Sequence, residues 1–505
     1  MDESSSSRQI KIGAILGYIN YALKMGVQLA YVPILLSFLG QSEYGVYQLA
    51  GSMISYLSLL SFGFGGAYYR FYSQCRGDTR KEAGLNGTYL ITFLFFALLS
   101  GVAGTYLTVN SEWILGSKLT PEELVLAKKL LAVLMVNLVV SFPSSVFSAI
   151  VFSRECFIFQ RIVEIIKTVL NPALVIFLLL LGYGSMGVVL VSTFLTVASF
   201  ALNIWYVLVR IKTPFSFRDF NLKLVGEIGA FSVFLFLDAI IDQINWNVDK
   251  FLLGRLVGTI SIAIYSIGAQ INTIYIQLTD MLATICAPRI NHIVANEQNP
   301  MPHLNAMLIQ IGRIQAMIIF AVICGFVILG KEFIALWAGE GYEEAYYVTL
   351  LLIVPNSLPL SQSAAVDIQR ALNKHQLRSM IFAGTTVLNL FISIPLIRIF
   401  GAAGAAMGTA GAVLLGDGLI MNLLYQKWLG LDVLSFWKSV LALIPAAIPA
   451  SICSMLLKQY FPVTSLWMLI LHIGFFMVIY CGCLLLYGMT RQEKETVYQF
   501  LRRGD

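Results

Sequence analysis

Fourteen apolar stretches of about 20 residues, the length an α-helix needs to cross a bilayer, constrain this chain more than any motif in it. They fall at roughly 12–38, 44–73, 85–108, 123–151, 162–181, 186–209, 223–245, 259–288, 305–329, 345–369, 379–399, 402–426, 437–457 and 465–488. Within a bilayer every backbone N–H and C=O must be satisfied inside the segment, so each stretch is expected to be a helix. Charge agrees: 12% of the 505 residues are Asp, Glu, Lys or Arg, against about 25% in soluble domains. The chain reads as an all-α polytopic membrane protein with 14 transmembrane helices. Residues 1–9 carry two acids and a serine run rather than a cleavable leader, so the first span is expected to be retained.

Basic residues set the orientation. With the N-terminus inside, 23 of the 33 Lys and Arg fall on the cytoplasmic side and 8 on the outer side, leaving Lys24 and Arg313 within spans. Both termini are therefore expected in the cytoplasm. The tryptophans sit near predicted span ends, as an aromatic belt requires. No connection is long enough to fold as a domain, which leaves function to the helices. The cysteines lack paired metal-ligand spacing and the histidines are scattered, so no metal, cofactor or catalytic centre is expected.

The chain repeats itself. Thr168-Val169-Leu170-Asn171 recurs as Thr386-Val387-Leu388-Asn389, and Gly40 and Tyr47 match Gly258 and Tyr265, all at an offset of 218. Ser141, Pro143, Ser145 and Arg154 match Ser357, Pro359, Ser361 and Arg370 at 216, and Gly184 and Gly187 match Gly401 and Gly404 at 217. Residues 1–215 and 222–430 thus read as two parallel six-helix lobes, followed by an appended helix pair at 435–490 and a cytoplasmic tail at 491–505.

Six plus six plus two helices, with Leu39-Gly40, Tyr44-Gly45 and Tyr47 at the first outer turn and Gly-x-x-Gly at both fifth-to-sixth connections, resemble a known family. The chain is similar to the polysaccharide flippases of the multidrug/oligosaccharidyl-lipid/polysaccharide exporter superfamily, which translocate O-antigen and capsule repeat units. The resemblance implies a bacterial cytoplasmic (inner) membrane protein that moves an undecaprenyl-pyrophosphate-linked oligosaccharide between leaflets by alternating access. It also implies polymerase and glycosyltransferase neighbours, membrane lipid contacts and no nucleic acid. Lipid II flippases also have fourteen spans but typically draw arginines from the first, second and eighth. Here those spans offer Lys24, Arg70 and, at its end, Arg289.

Charges at membrane depth mark the candidate residues. Lys24 lies well inside the first span with Asn20 one turn before it, and the offset of 218 maps this pair onto Asp238 and Asp242 of the seventh. Asp238, Asp242, Asn245 and Asp249 share one helical face. Two readings stand: a salt bridge across the seam between lobes, or a site in which Lys24 meets the substrate pyrophosphate while an aspartate exchanges H+ or Na+. Arg313, inside the ninth span, is expected to face the cavity. Arg70, among Tyr68, Tyr69, Phe71 and Tyr72, reads as a sugar-stacking site or as an interfacial belt. The matched Arg154 and Arg370 could form a cytoplasmic portal for anionic head groups or act as positive-inside anchors.

Other functions leave weaker marks. Gly182-Tyr183-Gly184-Ser185-Met186-Gly187 fits a dinucleotide-binding glycine pattern but lies between two spans and has no downstream acid at the required spacing. No phosphate-binding Gly-Lys-Ser/Thr loop is present, so ATP is not expected as the energy source. A membrane glycosyltransferase or polymerase would call for a long outer loop, and a cation-coupled drug exporter of the same superfamily usually has twelve spans.

Overall fold

Gly40 interrupts what would otherwise be one helix of 55 residues. Its φ of 67° and ψ of −178° suit glycine, and they divide α1 (Glu3–Leu57) into the two arms expected as the first and second spans. The computed structural model describes residues 3–495 other than Ser117, His375 and Gln492, and all its described secondary structure is helical. Most of the expected tail at 491–505 lies outside the described residues.

Contacts divide the chain into Met1–Ala263 and Ile264–Asp505. In the first unit a single 3-10 turn and the left-handed residues Phe62 and Gly63 lead from α1 to α2 (Phe64–Cys75). α3 (Thr79–Val109) is capped by the Asp78 carboxylate, which accepts from the N–H groups of Arg80 and Lys81. The short α4 (Ser111–Leu115) precedes α5 (Pro121–Ser153), which starts on a capping box of Thr120 and Glu123. Then come α6 (Phe157–Leu180), α7 (Gly184–Trp205) with a π-helical end, and α8 (Leu222–Leu256). α1, α3 and α7 all pack against α5, and α1 also meets α6 and α8. An aromatic core fills the space around α2, α3 and α5, where the buried Tyr68 hydroxyl donates to Asn86.

α9 (Thr259–Asn296) begins in the first unit and runs into the second. The rest of the second unit is α10 (Met301–Trp337), α11 (Ala345–Ser361), α12 (Ser363–Ala371), α13 (Gln376–Val413), the short α14 (Asn422–Leu424) between two π-helical stretches, α15 (Val433–Leu441), α16 (Ile444–Tyr460) and α17 (Leu466–Cys483). By contacts α8 belongs to the first unit, so the packing boundary falls after the 215/222 boundary read from the repeat.

Backbone geometry repeats where the residues do. Left-handed φ values occur at Gly40 and Gly258 (67° and 137°), Glu155 and Asn373 (59° and 56°), Gly184 and Gly401 (55° and 56°), and Lys212 and Gly430 (57° and 75°), each pair 217 or 218 apart. Ser141 and Ser145 around Pro143, like Ser357 and Ser361 around Pro359, donate to the carbonyl three residues earlier. These recurrences are consistent with the duplication. Ten described helices are long and apolar enough to cross a membrane, or twelve if each of two bent pairs makes one span. Two of the ten, Ile12–Cys75 and Gln376–Leu429, hold 64 and 54 residues, about twice one crossing each, and are broken at Gly40 and Gly401. That arrangement is consistent with fourteen crossings.

Arg313 ties α10 to the appended helices. Its side chain is buried and donates to both Glu493 carboxylate oxygens (2.8 and 3.1 Å) and to the carbonyls of Ser439 and Gly488 (2.7 Å each). The expectation that it lines a substrate cavity is corrected here, because nearly all its donors are spent on packing. Burial pushes the Glu493 carboxyl up, but the Arg313 hydrogen bonds and the Thr490 cap outweigh it and hold it below the usual glutamate value.

Glu493→Ala is expected to lower stability by about 3–5 kcal/mol at pH 7, because it strands a buried charge. A depressed carboxyl contributes fully above its unfolded value, about 4.3, and loses that contribution as pH falls through the folded value. In thermal melts of the solubilised protein the gap between variant and wild type should therefore narrow as pH falls below about 4, the ordinary glutamate range. A gap of unchanged size at pH 3 would contradict the assignment.

Candidate functional site: a basic cavity in the first unit

Two glycines bring α1 and α6 close together. A Cβ on Gly13 would lie 2.7 Å from the Cβ of Phe157, and one on Gly17 would lie 3.5 Å from the Nε of Arg161. Small residues four apart permit this approach between membrane helices. Beyond them the helices bound a cavity of about 820 Å³, walled by α1, α5, α6 and α7.

The wall of α1 presents Asn20, Tyr21, Lys24, Gln28 and Tyr31, which fall on one helical face by their spacing. α6 presents Arg161, Glu164, Lys167, Thr168 and Asn171 at the same period, and α5 and α7 add Asn137, Ser141, Ser192 and Thr196. One carboxylate oxygen of Glu164 accepts from Arg161 Nη1 at 2.7 Å and from Asn20 Nδ2 at 3.2 Å. The Thr168 hydroxyl shares its one proton between Asn20 Oδ1 (3.1 Å) and the Glu164 carbonyl (2.9 Å), linking the pair across the α1–α6 contact. The Gln28 Oε1 and Tyr31 hydroxyl have no hydrogen-bond partner among the described residues.

Three cations and one carboxylate leave the wall with a net charge of +2. Lys24 and Lys167 make no ion pair among the described residues. Two such ammonium groups on one wall attract anions, and the hydroxyl and amide groups can bind polar neighbours of that anion.

Of the residues expected from the sequence, Asn20 and Lys24 line this cavity. Arg70 does not: it stacks on the Phe231 ring of α8, 4.4 Å from the centroid. Of the aromatics beside it, Tyr68, Phe71 and Tyr72 are buried, and only Tyr69 is exposed. Arg154 pairs with the buried Glu82 of α3 and lies over Tyr72, whereas its repeat mate Arg370 is exposed beside Asp367 at 3.7 Å. Asp238 and Asp242 are exposed on α8 and are not lining residues, and Asp249 on the same stripe is 1% exposed.

Arg161, Glu164, Lys167, Thr168 and Asn171 were not singled out from the sequence as site residues. Arg161 and Lys167 pass for ordinary cytoplasmic anchors when the span is started at 162. The helix starts at Phe157, and the period of three and four from 161 to 171 was the available signal. The dinucleotide-like glycine pattern at 182–187 also has a plain use: the Glu43 carboxylate accepts from the Ser185 N–H at 2.6 Å, so the protein's own anion occupies the start of α7.

A family model described as polysaccharide biosynthesis protein matches residues 34–347. No curated protein matches the chain. Among solved structures, the lipid II flippase MurJ in an inward closed conformation aligns with a TM-score of 0.72 at 14% identity, over 94% of this chain and 97% of that one. An inward-facing multidrug resistance MATE family transporter of the MOP superfamily gives 0.61 at 15%, over 86% and 99%. A MOP superfamily transporter from Pyrococcus furiosus, described by the reverse polarity of its binding pocket, gives 0.55 at 15%, over 84% and 96%. At such identities these structures share the fold.

Gly17 tests the architecture. Gly17→Leu should crowd Arg161 and weaken binding of inorganic pyrophosphate about tenfold, a change of about 1.4 kcal/mol, while Gly17→Ala, whose Cβ has ordinary contact room, should bind like wild type. Calorimetry on the solubilised protein checks both, and equal affinity for all three would contradict the placement of Arg161.

Proposed function

The chain belongs to the polysaccharide biosynthesis protein family, and from that premise we propose that it is a flippase for undecaprenyl-pyrophosphate-linked oligosaccharide repeat units, carrying them from the inner to the outer leaflet of a bacterial cytoplasmic membrane. The observation that carries this reading is the net +2 cavity, on whose walls, rich in amide and hydroxyl groups, two lysines make no ion pair among the described residues. A diphosphate diester bears one negative charge per phosphate, which complements that excess. Lys24 and Lys167 are assigned to the phosphates as compact cations with rotatable donors. Asn137, Asn171 and the neighbouring hydroxyls are assigned to the first sugar, and Asn20, beside Glu164, to the phosphate end.

Translocation proceeds by alternating access, driven by an H+ or Na+ gradient or by the membrane potential. Both termini face the cytoplasm in this reading, and polymerase and glycosyltransferases are the partners. Lipid II, also a polyprenyl diphosphate saccharide, is a second reading, favoured by the alignment with MurJ. The basic wall disfavours a drug exporter for cationic compounds. Short connections give a glycosyltransferase or polymerase no loop for catalytic residues.

Lys24→Ala is expected to cut translocation in proteoliposomes by at least about tenfold, the scale of one charge-assisted contact, with insertion unchanged. The same variant in cells should accumulate the lipid-linked precursor, whose mass identifies repeat unit or lipid II. Wild-type flux and normal surface polysaccharide would overturn the assignment of Lys24.

A further inference from the structure

Glu164 is the one acid among the cavity's lining residues, and it sits where an anionic ligand would be drawn. Its Oε2 already occupies Arg161 Nη1 at 2.7 Å and Asn20 Nδ2 at 3.2 Å, the donor types a phosphate oxygen would take. The pair is local, three residues apart on α6, and both side chains remain partly accessible, at 41% and 37%. A buried structural ion pair in this protein looks different. Arg313 and Glu493 are sealed at 9% and 11%, and Arg313 is further fixed by two backbone carbonyls.

We infer that Glu164 is an internal counter-anion: it holds Arg161 and Asn20 while the cavity is empty, yields them to the ligand's phosphate, and reclaims them on release. This rests on the reading of the cavity as an anion site. Lys24 and Lys167 supply the standing attraction, since neither is paired among the described residues. Arg161 is the conditional donor. Thr168 keeps the exchange short, because it bonds the Glu164 carbonyl and the Asn20 side chain together, so the carboxylate can swing while its backbone and its neighbour stay in place. A site with three free cations would bind a diphosphate more tightly and let it go more slowly, and a transporter needs release as much as capture. Glu164 therefore sets affinity against turnover.

The test uses inorganic pyrophosphate as the probe in calorimetry on the full-length solubilised protein, and flux of lipid-linked substrate in proteoliposomes. Glu164→Gln keeps the shape and removes the competing charge. It should tighten pyrophosphate binding about tenfold, the scale of one charge-assisted hydrogen bond, lower KM and lower turnover. Adding Arg161→Gln should erase the gain, a non-additivity that a purely structural carboxylate would not produce. Glu164→Asp, one methylene shorter and weaker in its reach to Arg161, should shift the same quantities in the same direction by less, and it serves if the Gln variant does not fold. Unchanged or weaker pyrophosphate binding in the Gln and Asp variants, with wild-type binding still dependent on Lys24, would overturn the counter-anion role alone. No pyrophosphate binding in wild type or variants would overturn the anion-site reading together with it.

Discussion

A charged side chain at membrane depth costs about 2.5–3.5 kcal/mol on insertion scales unless something compensates it, and that penalty sorts the charges of this protein into two kinds. One kind is spent on structure: Arg313 is held by Glu493, and just beyond the expected span ends Arg154 with Glu82, and Lys458 with Glu332 and the Ile328 carbonyl, likewise fasten one helix to another. The other kind, Lys24 and Lys167, has a polar cavity in place of a partner. Cavity and charge depend on each other, since water or a ligand must fill the space that makes the lysines tolerable.

The recurring four-residue motif sits in different surroundings at its two places in the chain. Thr168 and Asn171 of the first copy line the cavity, one of them bonded to Asn20. Their mates Thr386 and Asn389 are buried, and Asn389 accepts from Ser393, whose Cβ lies 2.9 Å from a Cβ built on Gly408. The same four-residue motif thus places polar groups on a cavity wall at one position and serves helix packing at the other. The backbone breaks recur at Gly40 and Gly258 and at Gly184 and Gly401, while the side chains near them make different contacts.

What was legible in the sequence follows from the range of each signal. Helix class was readable because hydrophobic length is local, and the glycine matches behind the proposed repeat coincide with recurring backbone breaks. Lys24 and Asn20 were readable because a polar pair inside an apolar run stands out. Arg313 was misplaced because its partner is 180 residues away, and nothing in a single span reveals that a distant glutamate will neutralise it. Arg161 and Lys167 were hidden by proximity to a predicted span end, where positive-inside anchoring explains any base. The acids of α8 stood out most, yet Asp238 and Asp242 are not among the cavity's lining residues; charge at depth announces a constraint without saying which space it faces.

The central claim, that the α1/α5/α6/α7 cavity holds a polyprenyl diphosphate saccharide, is tested most directly by a photoreactive residue at Gln28 on the cavity wall, with one at the exposed Val478 of α17 as control. Irradiation in cells followed by mass spectrometry should give an adduct of a diphosphate-linked saccharide lipid at Gln28 and ordinary phospholipid at Val478. Phospholipid adducts alone at both positions would contradict it.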